Sequence, residues 1–151
     1  MYTTVPVLHR GWLSQRVSEI SQYPESYCLV GALCVFMISR SWALLRVLPN
    51  NPTIGKQHAI AVCSRIIDEV KHMRNQTDYA ENPTTSTILT SFFFSGALFD
   101  IERTNASWFY LQEAITFSKM LQIHTEETYG SDVVLDTMNR RIFWVLFITE
   151  R

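Results

Sequence analysis

What is scarce in these 151 residues narrows the field before any motif is read. There are three cysteines, Cys28, Cys34 and Cys63, an odd number at irregular spacing that makes no disulfide framework. All three sit among apolar neighbours, where a reduced thiol packs as a small hydrophobe, so a reducing compartment is expected. Glycine is also scarce, and its five residues form no phosphate-cradling loop. Charge is sparse and balanced: 13 Lys and Arg stand against 14 Asp and Glu, for a net charge of −1. Such a chain has no basic footprint for a phosphate backbone, so no direct contact with nucleic acid is expected. No apolar run reaches the ~20 residues that a membrane span needs. The nearest, CLVGALCVFMI from Cys28 to Ile38, is interrupted by Ser39 and Arg40 and reads as a buried core helix. The opening MYTTVPVLHRGWLSQRVSEI has no basic start ahead of an apolar core, so no secretory leader is expected.

What is present is helical. Pro24, Pro49, Pro52 and Pro83 punctuate the chain into blocks. The first, around Gly11 to Ser21, is short. The second runs from about Ser26 to Val47 and contains Gly31, which is costly inside a helix and so marks close packing against a neighbour. The third runs from about Gln57 to Arg74, with Ala59, Cys63, Ile66, Val70 and Met73 on one face. Asn82 and Pro83 predict the next helix start, Asn as the cap and Pro in the first turn. The block TTSTILTSFFFSGALFDI that follows is apolar nearly all round and belongs at the centre of a bundle. Its Thr and Phe content competes for strand, but its length and helical flanks favour helix. Residues 105 to 124 place Trp108, Leu111, Ile115 and Ser118 on one edge and Ala114, Phe117 and Leu121 on the next. The last helix starts near Ser131 or Asp132, both good caps, with Leu135, Met138, Ile142, Val145 and Thr149 on one face and Phe143 and Phe147 beside it. No alternating strand pattern survives. The expected fold is therefore all-α, an irregular bundle of five to six antiparallel helices in a single domain over residues 1–151.

Chemistry is thin. His9, His58, His72 and His124 are widely spaced, and no Cys or His pair has zinc-finger spacing. Cys63 and His58 could be drawn as nucleophile and base, but Cys63 belongs to the buried stripe and would be inert. Asp68-Glu69 and Glu126-Glu127 read as solvated charges. No catalytic, cofactor-binding or metal residue is expected, nor an enzyme. Arg140 and Arg141 are two arginines rather than a patch; their stems can cover apolar neighbours, or they can pair with acids such as Asp136. Trp108, Phe109, Tyr110, Phe143, Trp144 and Phe147 could line a ligand pocket, but a helix–helix core is the commoner use of such a stripe.

Taken in order, Ser107-Trp108, Glu113-Ala114-Ile115, Leu121-Gln122-Ile123-His124, Arg140-Arg141-Ile142-Phe143-Trp144 and Glu150-Arg151 resemble the fungal-specific transcription factor domain. That domain is the middle homology region of the binuclear zinc cluster activators. The match is best over residues 83–151, with the first half fitting loosely as the preceding helices. Gln122 stands where the family usually has Gly, Ser118 replaces a common Ala and Ile123 a Leu. The resemblance implies that Trp108, Ala114, Ile115, Leu121, His124, Arg140, Arg141, Phe143, Trp144, Glu150 and Arg151 are structural motif residues. It implies a regulatory segment that acts in the nucleus and answers to a carbon source or other metabolite. Its partners would be the rest of a transcription factor chain, other transcription regulators and a small-molecule effector. DNA binding and zinc would belong to a six-cysteine cluster that these residues do not contain.

The family domain continues for many helices past its acidic-Arg pair. The closing stretch RRIFWVLFITER carries no helix stop signal, so the chain is expected to be part of a larger domain. Its last helix should then present an exposed apolar face. A helical-repeat interaction scaffold is the rival reading, since NASWFYLQEAITFSKMLQI has the rhythm of a tetratricopeptide helix; no second copy stands at the 34-residue offset of that family. An all-α enzyme for an apolar substrate would need a carboxylate or metal cluster facing a cavity, and the sequence shows none.

Overall fold

A computed structural model describes residues 8–45, 53–123 and 132–150. Six α-helices run through them, and no strand is found among the described residues. They are α1 (Arg10–Ser18), α2 (Pro24–Leu45), α3 (Thr53–Asn75), α4 (Thr85–Asp100), α5 (Thr104–Met120) and α6 (Val133–Glu150). The all-α bundle expected from the sequence is the fold observed.

The termini follow local chemistry. His9 caps α1, its Nδ1 accepting the Trp12 N–H at 3.3 Å. α1 ends at Ser18, three residues short of the expected Ser21. Pro24 opens α2, two residues before the expected Ser26, in the position where its missing N–H costs nothing. The expected end of α2 at Val47 lies outside the described residues. α4 begins later than Asn82-Pro83 suggested. Thr84 is the cap: the Thr87 N–H donates to Thr84 Oγ1 at 3.4 Å, and the Thr84 N–H donates to Thr87 Oγ1 at 3.1 Å. This reciprocal capping box satisfies two orphan donors where Asn82 would satisfy one. The Asn82 amide donates to Asp78 instead, at 3.2 Å. Asp132 caps α6 as expected, accepting the Val134 and Leu135 N–H groups at 3.1 and 3.2 Å.

α4 is the central helix, packed between α2 and α5. α3 and α1 lie against α2, and α6 lies against α5. Phe93 and Phe94 are wholly buried. Of the sixteen residues of α4, Phe92, Gly96 and Phe99 alone escape full burial. They stand four and three residues apart, so they form one stripe. The serines and threonines of α4 let neighbours approach closely and find partners there. Ser107 Oγ of α5 donates to the Ser95 carbonyl at 2.7 Å, and Thr85 Oγ1 donates to Asn139 Oδ1 of α6 at 3.0 Å.

Gly31 sits where α2 and α3 cross; a Cβ there would lie 2.5 Å from Val70 Cγ2. This contact fixes the rotation of α3. Among its described side chains the buried ones are Cys63, Ile67, Val70 and Arg74, while Ala59, Ile66 and Met73 of the expected stripe are only half-buried. Adjacent Ile66 and Ile67 fit a helical period equally well, and the fit against α2 chose the second. On α6 the buried residues are Met138, Ile142 and Leu146. Val145 is half-buried and Thr149 exposed, a correction to the face drawn from the sequence. No helix among the described residues is long and apolar enough to cross a membrane.

Candidate functional site

The stripe Phe92, Gly96 and Phe99 is one wall of a cavity of about 430 Å³. Phe36 and Arg40 of α2 form a second wall, Trp108 of α5 a third, and Val145 and Thr149 of α6 close the far side. Arg40 is the one charged side chain among the described lining residues. Gly96 is required here: a Cβ would strike the Phe36 ring at 2.5 Å. The Phe36 ring in turn packs on Phe93 with centroids 5.4 Å apart, anchoring this wall in the core. The Arg40 guanidinium stacks over Phe36, 5.0 Å from the ring centroid.

Behind the cavity, Arg40 Nε lies 3.3 Å from Asp100 Oδ2, an ion pair out of hydrogen-bond alignment, so the buried Nε has no acceptor. Asp100 is buried at the last residue of α4 and accepts the Ser39 hydroxyl at 3.1 Å. Burial pushes its carboxyl above the ordinary range, and Arg40 and Ser39 pull it back down. The Ser95 and Ser107 hydroxyls of the lining are engaged with each other or with backbone. The Thr149 hydroxyl donates to the Val145 carbonyl at 2.7 Å.

A second polar centre went unread in the sequence. Arg74, at the end of α3, is 4% exposed. Its Nη2 donates to Ser91 Oγ at 2.8 Å and to the Thr87 carbonyl at 3.2 Å. Its Nη1 lies 3.5 Å from Glu113 Oε2, and its guanidinium lies over the Tyr79 ring at 4.1 Å. Burial raises the Glu113 carboxyl; Arg74 and a hydrogen bond with Ser91 lower it. The group ties α3, α4 and α5 together. The signal was present: Arg74 continues the stripe Cys63, Ile67 and Val70 by one turn. Arginine at such a position reads as a helix-end charge until the partners are known.

The motif residues fall in different places. Ala114 and Ile115 are buried in α5. Leu121 is the half-buried C-cap of α5. Arg140 and Arg141 are on the exposed side of α6. Phe143 stacks on Phe147 at 6.3 Å and meets Trp144 edge-on at 5.7 Å. Ile115, Phe143 and Glu150 converge on a second cavity of about 490 Å³ between α5 and α6. His124 and Arg151 lie outside the described residues.

Gln122 adopts φ 54°, the left-handed conformation in which a side chain is strained. The Ile123 N–H donates to the Ser118 carbonyl at 3.2 Å, and the Gln122 N–H to the Lys119 carbonyl at 3.1 Å, which is a Schellman cap. The turn is thus built as a glycine would build it, with a glutamine in the glycine position.

The aromatic cluster expected as helix–helix core is not one. Trp108, Phe109, Trp144 and Phe147 are exposed, and Tyr110 and Phe143 are half-buried. The inward faces of α5 and α6 belong instead to Leu111, Ala114, Ile115, Met138, Ile142 and Leu146. Trp108, at 54% exposure, stands at the rim of the first cavity. On α6, Trp144, Phe147 and Ile148 form the expected outward apolar strip. Cys63 is buried and its thiol raised by burial, as expected of an inert cysteine. Cys28 is pushed up to about 11 by burial. Cys34 departs from expectation, since it faces outward from α2. No group of three His, Cys, Asp or Glu residues that could hold a metal occurs among the described residues.

No family model matches this chain, and no solved structure matches it. The chain is 38% identical over 151 residues to a "Probable sucrose utilization protein" of Candida albicans, a match that takes in 99% of this chain. It spans 29% of the length of that relative.

Proposed function

We propose that this chain is a regulatory segment of a fungal zinc-cluster transcription factor, part of the middle homology domain, controlling genes for the use of a carbon source. The observation that carries this is the 38% identity, across 99% of this chain, with part of a protein named for sucrose utilization. Two further features support it. The motif residues Trp108, Ala114 and Ile115 lie together on α5, and Arg140, Arg141, Phe143 and Trp144 lie together on the neighbouring α6. The balanced charge suits a segment that regulates rather than grips DNA.

On this proposal the chain has no catalytic role and acts in the nucleus. Zinc and DNA contact belong to a cluster outside these residues. Its partners are the remainder of a transcription factor chain and other transcription regulators, for which the strip Trp144, Phe147 and Ile148 offers apolar surface. The same strip favours the second reading, a helical interaction scaffold with no link to transcription.

Deleting the encoding gene in its native host tests both. Growth should be lost on sucrose as sole carbon source and retained on glucose, with transcripts for sucrose-hydrolysing enzymes no longer induced. Unaltered transcripts on sucrose would refute transcriptional control and leave the scaffold.

A further inference from the structure

We propose that the cavity between α2, α4, α5 and α6 is a binding site for a small aromatic or alicyclic carboxylate, held by Arg40 at one end and by Trp108 and Phe99 along its body. The inference stands on the geometry and is independent of the regulatory reading. α4 is enclosed by protein everywhere except along Phe92, Gly96 and Phe99, and that stripe is the cavity wall. The cavity is therefore a groove open to solvent whose floor is the one uncovered stripe of the central helix. Its volume of about 430 Å³ falls in the range of sites that enclose small molecules, roughly 300–1,000 Å³. Such sites combine apolar walls with a few placed polar groups. Here the walls are Phe36, Phe92, Phe99, Trp108 and Val145, and the charged group is Arg40.

The guanidinium is positioned rather than free. Its plane rests on Phe36, and Asp100 holds its Nε edge from behind. Its Nη2 would lie 3.8 Å from a Cβ on Gly96, so it borders the cavity wall. A planar fork presented in this way matches a carboxylate, which accepts two parallel N–H bonds. Trp108 and Phe99 are 54% and 64% exposed, and their rings offer faces to an apolar body. A ligand lacking the carboxylate would forgo the charge-assisted pair with this half-exposed fork. A ligand lacking the apolar body would leave the walls wet.

Calorimetric titration of the 151-residue chain with naphthoate, and with its neutral isostere naphthamide, tests this. Naphthoate is expected to bind saturably at one site, about tenfold or more tighter than naphthamide, the difference one charge-assisted hydrogen bond makes. Arg40→Gln should bring naphthoate down to the affinity of naphthamide and leave naphthamide unchanged. Because that variant strands Asp100, the double variant Arg40→Gln/Asp100→Asn provides the same comparison without a buried lone charge. Trp108→Ala, at an exposed position, should weaken both probes by a similar factor. Equal affinity for acid and amide, or no saturable binding, would overturn the assignment. So would naphthoate binding indifferent to both Arg40 and Trp108, which would place the probe on the apolar strip of α6.

Discussion

Replacing Arg74 with methionine should destabilise this chain more than any surface charge substitution. The guanidinium is 4% exposed, makes two hydrogen bonds on α4 and pairs with Glu113 on α5. Methionine fills much of the space but leaves Glu113 without its cation and the Ser91 hydroxyl without its donor. Breaking a buried pair from one side costs about 3–5 kcal/mol. For a chain of 151 residues each kcal/mol moves Tm by roughly 2–4 °C, so Arg74→Met should melt about 6–20 °C lower at neutral pH.

The pH dependence is a sharper test. Burial holds the Glu113 carboxyl above its ordinary value in the fold. A raised carboxylate gives stability that is present below its unfolded pKa and lost as pH rises through its folded pKa. Removing Arg74 deletes the main lowering influence and raises that folded pKa further. The deficit of Arg74→Met should therefore shrink on acidification, beginning above the ordinary glutamate range. Arg74→Met/Glu113→Leu, which removes both charges, should regain at least half of the neutral-pH loss. Thermal melts followed by circular dichroism at several pH values measure all of this. A loss under about 1 kcal/mol with no pH dependence would refute the idea that this pair is buried and coupled.

Gly31→Ala should cost about 1–3 kcal/mol, since its new methyl meets Val70 at 2.5 Å and α2 must part from α3; urea unfolding measures it. Gln122→Gly should raise stability by about 0.5–1 kcal/mol, because relief of the left-handed strain exceeds the added chain entropy; a lowered Tm would contradict the Schellman geometry. A thiol-reactive disulfide reagent near pH 8 should modify Cys34 at once and reach Cys28 and Cys63 only as the chain unfolds; rapid reaction of all three would show that the α2–α3 contact is loose.

The sequence by itself determined that the chain is helical, where its helices lie to within a few residues, and that residues 85–100 form the central one. Periodicity, proline punctuation and caps are local, and each helix obeys them without reference to its neighbours. It also contained the departure at Gln122, whose left-handed backbone shows that the position still has the geometry of a glycine. Only the tertiary structure decided how each helix is rotated. Ile66 and Ile67 are equivalent to a period, and Gly31 against Val70 chose between them. The same packing turned Trp108 and Trp144 outward when their residue type suggested core. It also turned Arg74 inward when its charge suggested surface. Arg40 and Asp100 are sixty residues apart in the chain, and no spacing rule links them. Their meeting at the back of an apolar cavity depends on the crossing of α2 and α4, where Gly96 lets the Phe36 ring close on the helix backbone.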